Sequence, residues 1–193
     1  DEPTFVFQIN ADVTDSTGET RSAERDIRVG YTALEARISA ADWQVEDMPV
    51  ELKLETKTLD GEPQAAEGTL RIYALQAPEK VRRPPLHQRQ YWPPLDTSDS
   101  ADLSVPNNWP LGSVVAEKPF ATGTNGVAKL SFKLATGAYR AVIETQDRFG
   151  KKVTGKLPLQ VLQPDATRLA IKVPDLLEAP RWELQPGEEF MAL

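Results

Sequence analysis

The sequence predicts an all-β protein built as an antiparallel β-sandwich. The prediction rests on short segments that alternate apolar and polar residues, on the polar turns between them, and on a hairpin pattern that occurs twice. The clearest alternation places Val50, Leu52, Leu54 and Thr56 between charged residues. No stretch keeps a helical period over three turns, and regularly spaced short strands with polar turns are typical of a sandwich.

A strand–turn–strand pattern occurs near the start of the chain and recurs later. It starts at Phe5 and again at Tyr139, about 134 residues further on, and an Asp-x-x-Gly turn separates the two strands in both copies. In these turns Asp15 and Asp147 are expected to accept hydrogen bonds from their own backbone, as Asp does in Asx turns. A repeat at this spacing indicates tandem β modules.

A second repeat consists of a Trp followed by a polar turn and a strand. It occurs at Trp43 and Trp182, about 139 residues apart, and we expect both Trp side chains in a core or at a module junction. The two repeats predict that residues 1–30 are the C-terminal hairpin of a preceding module. They predict a complete module at residues 31–165 and the N-terminal strands of a following module at residues 166–193. The chain is therefore expected to be a fragment of a tandem array.

A long proline-rich insertion is predicted at residues 76–118. Proline cannot donate a hydrogen bond to a sheet, so this segment is expected to contain no central strand. Its aromatic residues predict that it packs at least partly on the sandwich. Its basic part is expected to be either a polyproline ligand or a strap that pairs with the acidic body. The candidate interaction surface consists of Tyr91, Trp92, Trp109, Arg82 and Arg83.

The composition excludes several functions. The chain has 22 Lys and Arg against 29 Asp and Glu, and this acidic balance argues against nucleic acid as a partner. It has no Cys, which excludes disulfides, thiol chemistry and thiolate metal sites. The single histidine, His87, has no identifiable partners, and the spacing of Asp96, Asp99 and Asp102 does not match a calcium loop. No catalytic residue, metal site or cofactor is predicted.

Four stretches of the chain resemble the macroglobulin-like domains of bacterial α2-macroglobulins. They read ADVTDSTGETRSAERDIRVG, PVELKLETKTLDGEPQ, TGTNGVAKLSFKLATGAYRAVIETQDRFGKKVTG and APRWELQPGEEFMAL. The resemblance implies an immunoglobulin- or fibronectin-III-like sandwich within a large extracytoplasmic protein of the periplasm or cell surface. It also implies protease trapping, in which a protease cuts a bait segment and the array collapses around it. A thioester can then couple the protease covalently.

The expected function is therefore that of a non-catalytic structural module, which positions neighbouring modules of a protease-trapping inhibitor. Its expected partners are those modules and, through the parent protein, proteases. Since the chain has no Cys, it cannot itself carry the thioester. One alternative is an adhesion module that stacks carbohydrate on Tyr91, Trp92 and Trp109, and another is a peptide-binding module with a free sheet edge. The two partial modules, residues 1–30 and 166–193, are expected to pair with each other, within a chain or in a domain-swapped dimer.

Overall fold

The computed structural model describes residues 3–41, 44–83, 102–174 and 185–187 of the chain. These residues form β-strands and one short 3₁₀ helix, Pro106–Asn108, and they contain no α-helix. The all-β prediction is confirmed.

Nine strands occupy the described part of the chain. In order they are β1 (Thr4–Thr14), β2 (Thr20–Gly30), β3 (Glu35–Ser39), β4 (Val50–Lys57), β5 (Glu67–Leu75), β6 (Leu111–Ala121), β7 (Val127–Phe132), β8 (Gly137–Gln146) and β9 (Lys152–Val161). Strands β1 and β2 form a separate hairpin. The other strands form an antiparallel sheet of three, in the order β3–β4–β7, and one of four, in the order β6–β5–β8–β9. We call these two larger sheets, β3 to β9, the body.

The two sheets of the body share one hydrophobic core. In β4, Val50, Leu52 and Leu54 are fully buried, and the charged residues between them point the other way. They belong to one cluster with Leu70 of β5 and Ile143 of β8, which lie in the opposite sheet. Full burial of each such side chain contributes about 1.5–3 kcal/mol. The body is therefore a β-sandwich, and the period-2 pattern of its strands reflects the division between core and solvent.

Close contacts connect the two sheets at both edges of the sandwich. At one edge, a Cβ on Gly155 of β9 would lie 2.5 Å from the carbonyl oxygen of Ala36 in β3, so only glycine allows this approach. At the other edge, Lys118 Nζ of β6 donates a hydrogen bond of 2.7 Å to the carbonyl oxygen of Ser131 in β7. The same ammonium group lies 4.6 Å from the ring centre of Phe132.

The predicted insertion at residues 76–118 is shorter than the sequence indicated. Strand β6 begins at Leu111 and pairs with β5, so residues 111–118 are strand where a loop was expected. The prolines before Leu111 caused this error, because residues 111–118 themselves contain no proline and pair as a strand. Strand β6 lies at the edge of its sheet, where its Pro119 is tolerated. Residues 84–101 of the insertion lie outside the described residues.

The two ends of the chain differ in how far the structure describes them. The hairpin predicted in residues 1–30 is present as β1–β2, and these strands pair only with each other among the described residues. Residues 166–174 form no strand, and most of the remainder to residue 193 lies outside the described part. Pairing between the two ends stays a prediction.

Candidate functional site: the hairpin and its junction with the body

The hairpin β1–β2 has one apolar face and one polar face, because side chains alternate along each strand. Its pairing register places the following residues on the apolar face: Phe5, Phe7, Ile9, Ala11 and Val13 from β1, and Arg21, Ala23, Arg25, Ile27 and Val29 from β2. The large apolar residues of this face are from 39% (Ile27) to 68% (Val13) exposed. A two-stranded hairpin is at best marginally stable alone, and a continuous exposed apolar face marks an interaction surface.

The turn of this hairpin has the same hydrogen bonds as the β8–β9 turn. In both, two backbone bonds of 2.9–3.1 Å join the Asp to the residues three and four positions further on. The Oδ1 atoms of Asp15 and Asp147 each accept two more backbone N–H groups at 2.8–3.0 Å. Gly18 and Gly150 close these turns with φ of 90° and 77°, a region that favours glycine. The predicted Asx bonding of both aspartates is confirmed.

The shared turn also fixes how the two hairpins correspond. When Asp15 is matched to Asp147, every cross-strand pair of β1–β2 except Thr4–Gly30 coincides with a pair of β8–β9, at an offset of 132 residues. Tyr139 then corresponds to Phe7, so the match of Phe5 to Tyr139 suggested by the sequence is wrong by two residues. Turn geometry sets hairpin register, whereas the position of the first aromatic residue does not.

The linker between the hairpin and the body is held by the β8–β9 turn. The Oδ2 atom of Asp147 accepts the backbone N–H of Ala33 at 2.9 Å, and Lys151 Nζ donates to the carbonyl oxygen of Tyr31 at 2.8 Å. Leu34, which follows, is 1% exposed. The backbone N–H of Ala33 is the main cause that lowers the pKa of Asp147. The body's last hairpin thus fixes the direction in which β1–β2 leaves the body.

A charged network covers part of the outer face of the four-stranded sheet. Arg71 donates to Glu117 at 3.0 Å and to Glu144 at 2.8 Å, and Lys152 donates to Glu144 at 2.5 Å. The hydrogen bond from Lys152 is the main cause that lowers the pKa of Glu144. The two positive and two negative charges of this network neutralise one another, whereas Lys156 on the same face has no ion pair among the described residues.

Trp109 is buried, although the sequence suggested that it lies at an interaction surface. It is 1% exposed and packs in a second cluster with Leu162 and Ile171. Its Nε1–H donates to the carbonyl oxygen of Leu103 at 2.8 Å, which satisfies the only polar group of the indole. The placement of Trp109 on an exposed face is therefore wrong. The 3₁₀ turn at Pro106–Asn108 precedes Trp109, and its side chain packs against Ala138 of β8 in the four-stranded sheet.

The other candidate residues are not brought together with Trp109. Arg82 and Arg83 are exposed, while Tyr91 and Trp92 lie outside the described residues. Trp43, His87, Asp96, Asp99 and Trp182 also lie outside them. Sequence reasoning missed the junction pair Asp147 and Lys151, and the signal that would have found it is the Asp-x-x-Gly turn followed by Lys.

Asp102 has a local structural role in the described structure. Its Oδ1 accepts the backbone N–H of Ser104 at 2.9 Å, and hydrogen bonds from Ser104 lower its pKa. Within residues 3–41, 44–83, 102–174 and 185–187, no group of three metal-ligating side chains is close enough to hold an ion.

A comparison with models of known protein families finds no match to this chain. A comparison with curated proteins finds no match either. No helix among the described residues has the length and apolar character needed to cross a membrane.

Proposed function

We propose that the chain is a non-catalytic structural part of a bacterial α2-macroglobulin-like protease-trapping inhibitor, located outside the cytoplasm. The observation that carries the proposal is the junction at Asp147 and Lys151, which fixes the linker at Tyr31 and Ala33. Neighbouring modules move independently by default unless their connection restrains them. A linker that is hydrogen-bonded to the body restrains the orientation of one module relative to the next. A module with a structural role needs such a restraint, because it positions its neighbours.

The arrangement of strands supports the proposed module type. A three-stranded sheet β3–β4–β7 and a four-stranded sheet β6–β5–β8–β9 share one core. Seven antiparallel strands in two sheets are typical of immunoglobulin- and fibronectin-III-like sandwiches. Three of the stretches that resemble macroglobulin-like domains coincide with strands, namely with β1–β2, with β4 and with β7–β9.

The partners we propose are the neighbouring modules and, through the whole protein, the trapped protease. The adhesion alternative loses support, because Trp109 is buried and cannot stack on a ligand. The peptide-binding alternative, which uses a free sheet edge, stays a prediction.

The proposal is tested with the full-length protein and several endoproteases of different specificity. A trapped protease should lose activity on large protein substrates and keep activity on small peptides, because enclosure excludes substrates by size. The variant Asp147→Ala with Lys151→Met frees the linker and should weaken trapping. A matched control is Arg71→Ala, which removes two ion pairs on the outer face and should trap normally.

Two outcomes would contradict the proposal. One is that the full-length protein leaves every protease equally active on large and small substrates. The other is binding of a glycan that disappears in Trp92→Ala, which would favour the adhesion alternative.

A further inference from the structure

We propose that β1–β2 is the last hairpin of a second β-sandwich and that its apolar face binds the open half of a neighbouring β-module. The partner is an antiparallel sheet with an apolar inner face, together with a strand that pairs with the free edge of β1. This inference rests on the proposed function in one respect, since it assumes that the chain belongs to an array of modules.

The first support is the environment of β8–β9, which has the same register. The residues of β8–β9 that correspond to the apolar face include Tyr139, Ala141, Ile143, Leu159 and Val161, and each is at most 8% exposed. They are covered by the three-stranded sheet across the core. A hairpin with the same turn and register, and with large apolar side chains on the same face, needs the same kind of cover.

The second support is the free edge of β1. Strand β8, its counterpart, pairs with β9 on one side and with β5 on the other. Strand β1 pairs only with β2 among the described residues. An edge strand of eleven residues with an apolar face is a template for another strand, so the partner supplies the equivalent of β5.

The third support is the carboxylate of Asp15. All its hydrogen bonds go to Oδ1, from the backbone and hydroxyl of Thr17 and the backbone of Glu19. In Asp147 the corresponding Oδ2 accepts the backbone N–H of Ala33, from the linker that enters β3. The Oδ2 of Asp15 therefore has room for a backbone N–H from the segment that enters the partner's first strand.

Two arginines on the apolar face indicate which side chains the partner must contain. Arg21 and Arg25 stand where the body has Val153 and Leu157. Arg21 pairs with Glu19 at 3.1 Å, whereas no acidic group among the described residues pairs with Arg25. A partner that covers this face must therefore place a carboxylate opposite Arg25, because an unpaired buried charge is costly.

A second copy of this chain does not fit the hairpin well enough to be its stable cover. With about 3.3 Å per residue and about 4.8 Å between strands, each hairpin face covers roughly 350 Å². Two stacked faces would bury roughly 700 Å² together, below the roughly 1,200 Å² of a specific interface. A half-sandwich covers the face and also pairs with the edge of β1, so it buries more.

Cysteine labelling tests the inference cleanly, because the chain has no native Cys. Ala11→Cys lies on the apolar face, and its neighbour Asn10→Cys on the polar face is the matched control. Both are exposed here, so in residues 1–193 alone both thiols should react rapidly with a maleimide. In the full-length protein, peptide mass spectrometry should show Ala11→Cys reacting about tenfold slower or more, since a covered thiol reacts only after local opening. Asn10→Cys should change little.

Equal reactivity of the two thiols in the full-length protein would overturn the inference, as would a full-length protein with no further module. Slow labelling of Ala11→Cys already in residues 1–193, increasing with concentration, would show that a second copy covers the face. Protection of Ala11→Cys without protease trapping would leave this inference standing and contradict the proposed function. Protease trapping without protection of Ala11→Cys would support the proposed function and contradict this inference.

Discussion

The two hairpins of this chain share a turn and a register but have opposite environments. In β8–β9, one face is buried in the core of the sandwich. In β1–β2, the corresponding face is exposed, although it carries Phe7 where the body has Tyr139 and Ile27 where it has Leu159. The comparison shows that an alternating sequence determines which face of a hairpin is apolar and must be buried. The alternation does not determine whether the sheet that buries this face comes from the same stretch of chain.

One pair of matched positions indicates how closely another sheet can approach each hairpin. Gly155 of β9 lies against the carbonyl oxygen of Ala36, which leaves no room for a Cβ. Its counterpart in β2 is Ala23. A methyl group at this position requires the proposed cover of β1–β2 to lie further from the strand than β3 lies from β9.

The largest expected difference between the hairpins comes from truncation of matched apolar side chains. Leu159→Ala creates a cavity in the core and should cost about 2–5 kcal/mol. Ile27→Ala, at the corresponding position, should cost less than about 1 kcal/mol in residues 1–193, because its side chain is already partly in water. Urea unfolding followed by circular dichroism measures both. Equal losses would mean that the hairpin is covered within this chain.

A smaller difference is expected from the matched small residues. Gly155→Ala forces β3 and β9 apart and should cost about 1–3 kcal/mol. The control Ala23→Gly should cost about 0.5–1 kcal/mol, from backbone entropy alone. Thermal unfolding distinguishes the two. A Gly155→Ala variant as stable as the parent would contradict the close approach of the two sheets.

The smallest and pH-dependent difference concerns the two turn aspartates. Hydrogen bonds lower the pKa of both Asp15, mainly through the Thr17 hydroxyl, and Asp147, mainly through the Ala33 backbone. A lowered carboxyl pKa stabilises the folded state above the ordinary value of 3.8, and this stabilisation is lost as the pH falls through the folded-state pKa. Asp147→Asn should therefore lower the melting temperature at neutral pH and reduce its fall below pH 3.8.

Asp15→Asn is the control for that experiment. In residues 1–193 its effect should be smaller, because Asp15 has no bond to a linker as Asp147 has to Ala33. If the two substitutions change melting temperature and acid sensitivity equally, the junction bond contributes nothing to stability.

The sequence predicted the parts of the fold that depend on local chemistry. Alternation identified β4 from Val50 to Thr56, and the Asp-x-x-Gly motifs identified both hairpin turns, because these signals arise from neighbouring residues. It failed for residues 111–118 of β6, because the prolines before them indicated a loop although these residues contain none. For Trp109 the expected packing of the insertion on the sandwich agrees with the structure, whereas the expected exposed surface does not, since its burial depends on contacts with the distant Leu162 and Ile171.

Hydrogen exchange on strand β1 tests the central claim, that β1–β2 is the last hairpin of a sandwich completed by another module. In residues 1–193, the β1 amides that do not bond to β2 should exchange rapidly, while both sets of amides of β8 exchange slowly. In the full-length protein, the free set on β1 should slow by about 100-fold or more, as a partner strand occupies that edge. If that set exchanges equally fast in both proteins, the hairpin has no such partner and the claim is wrong.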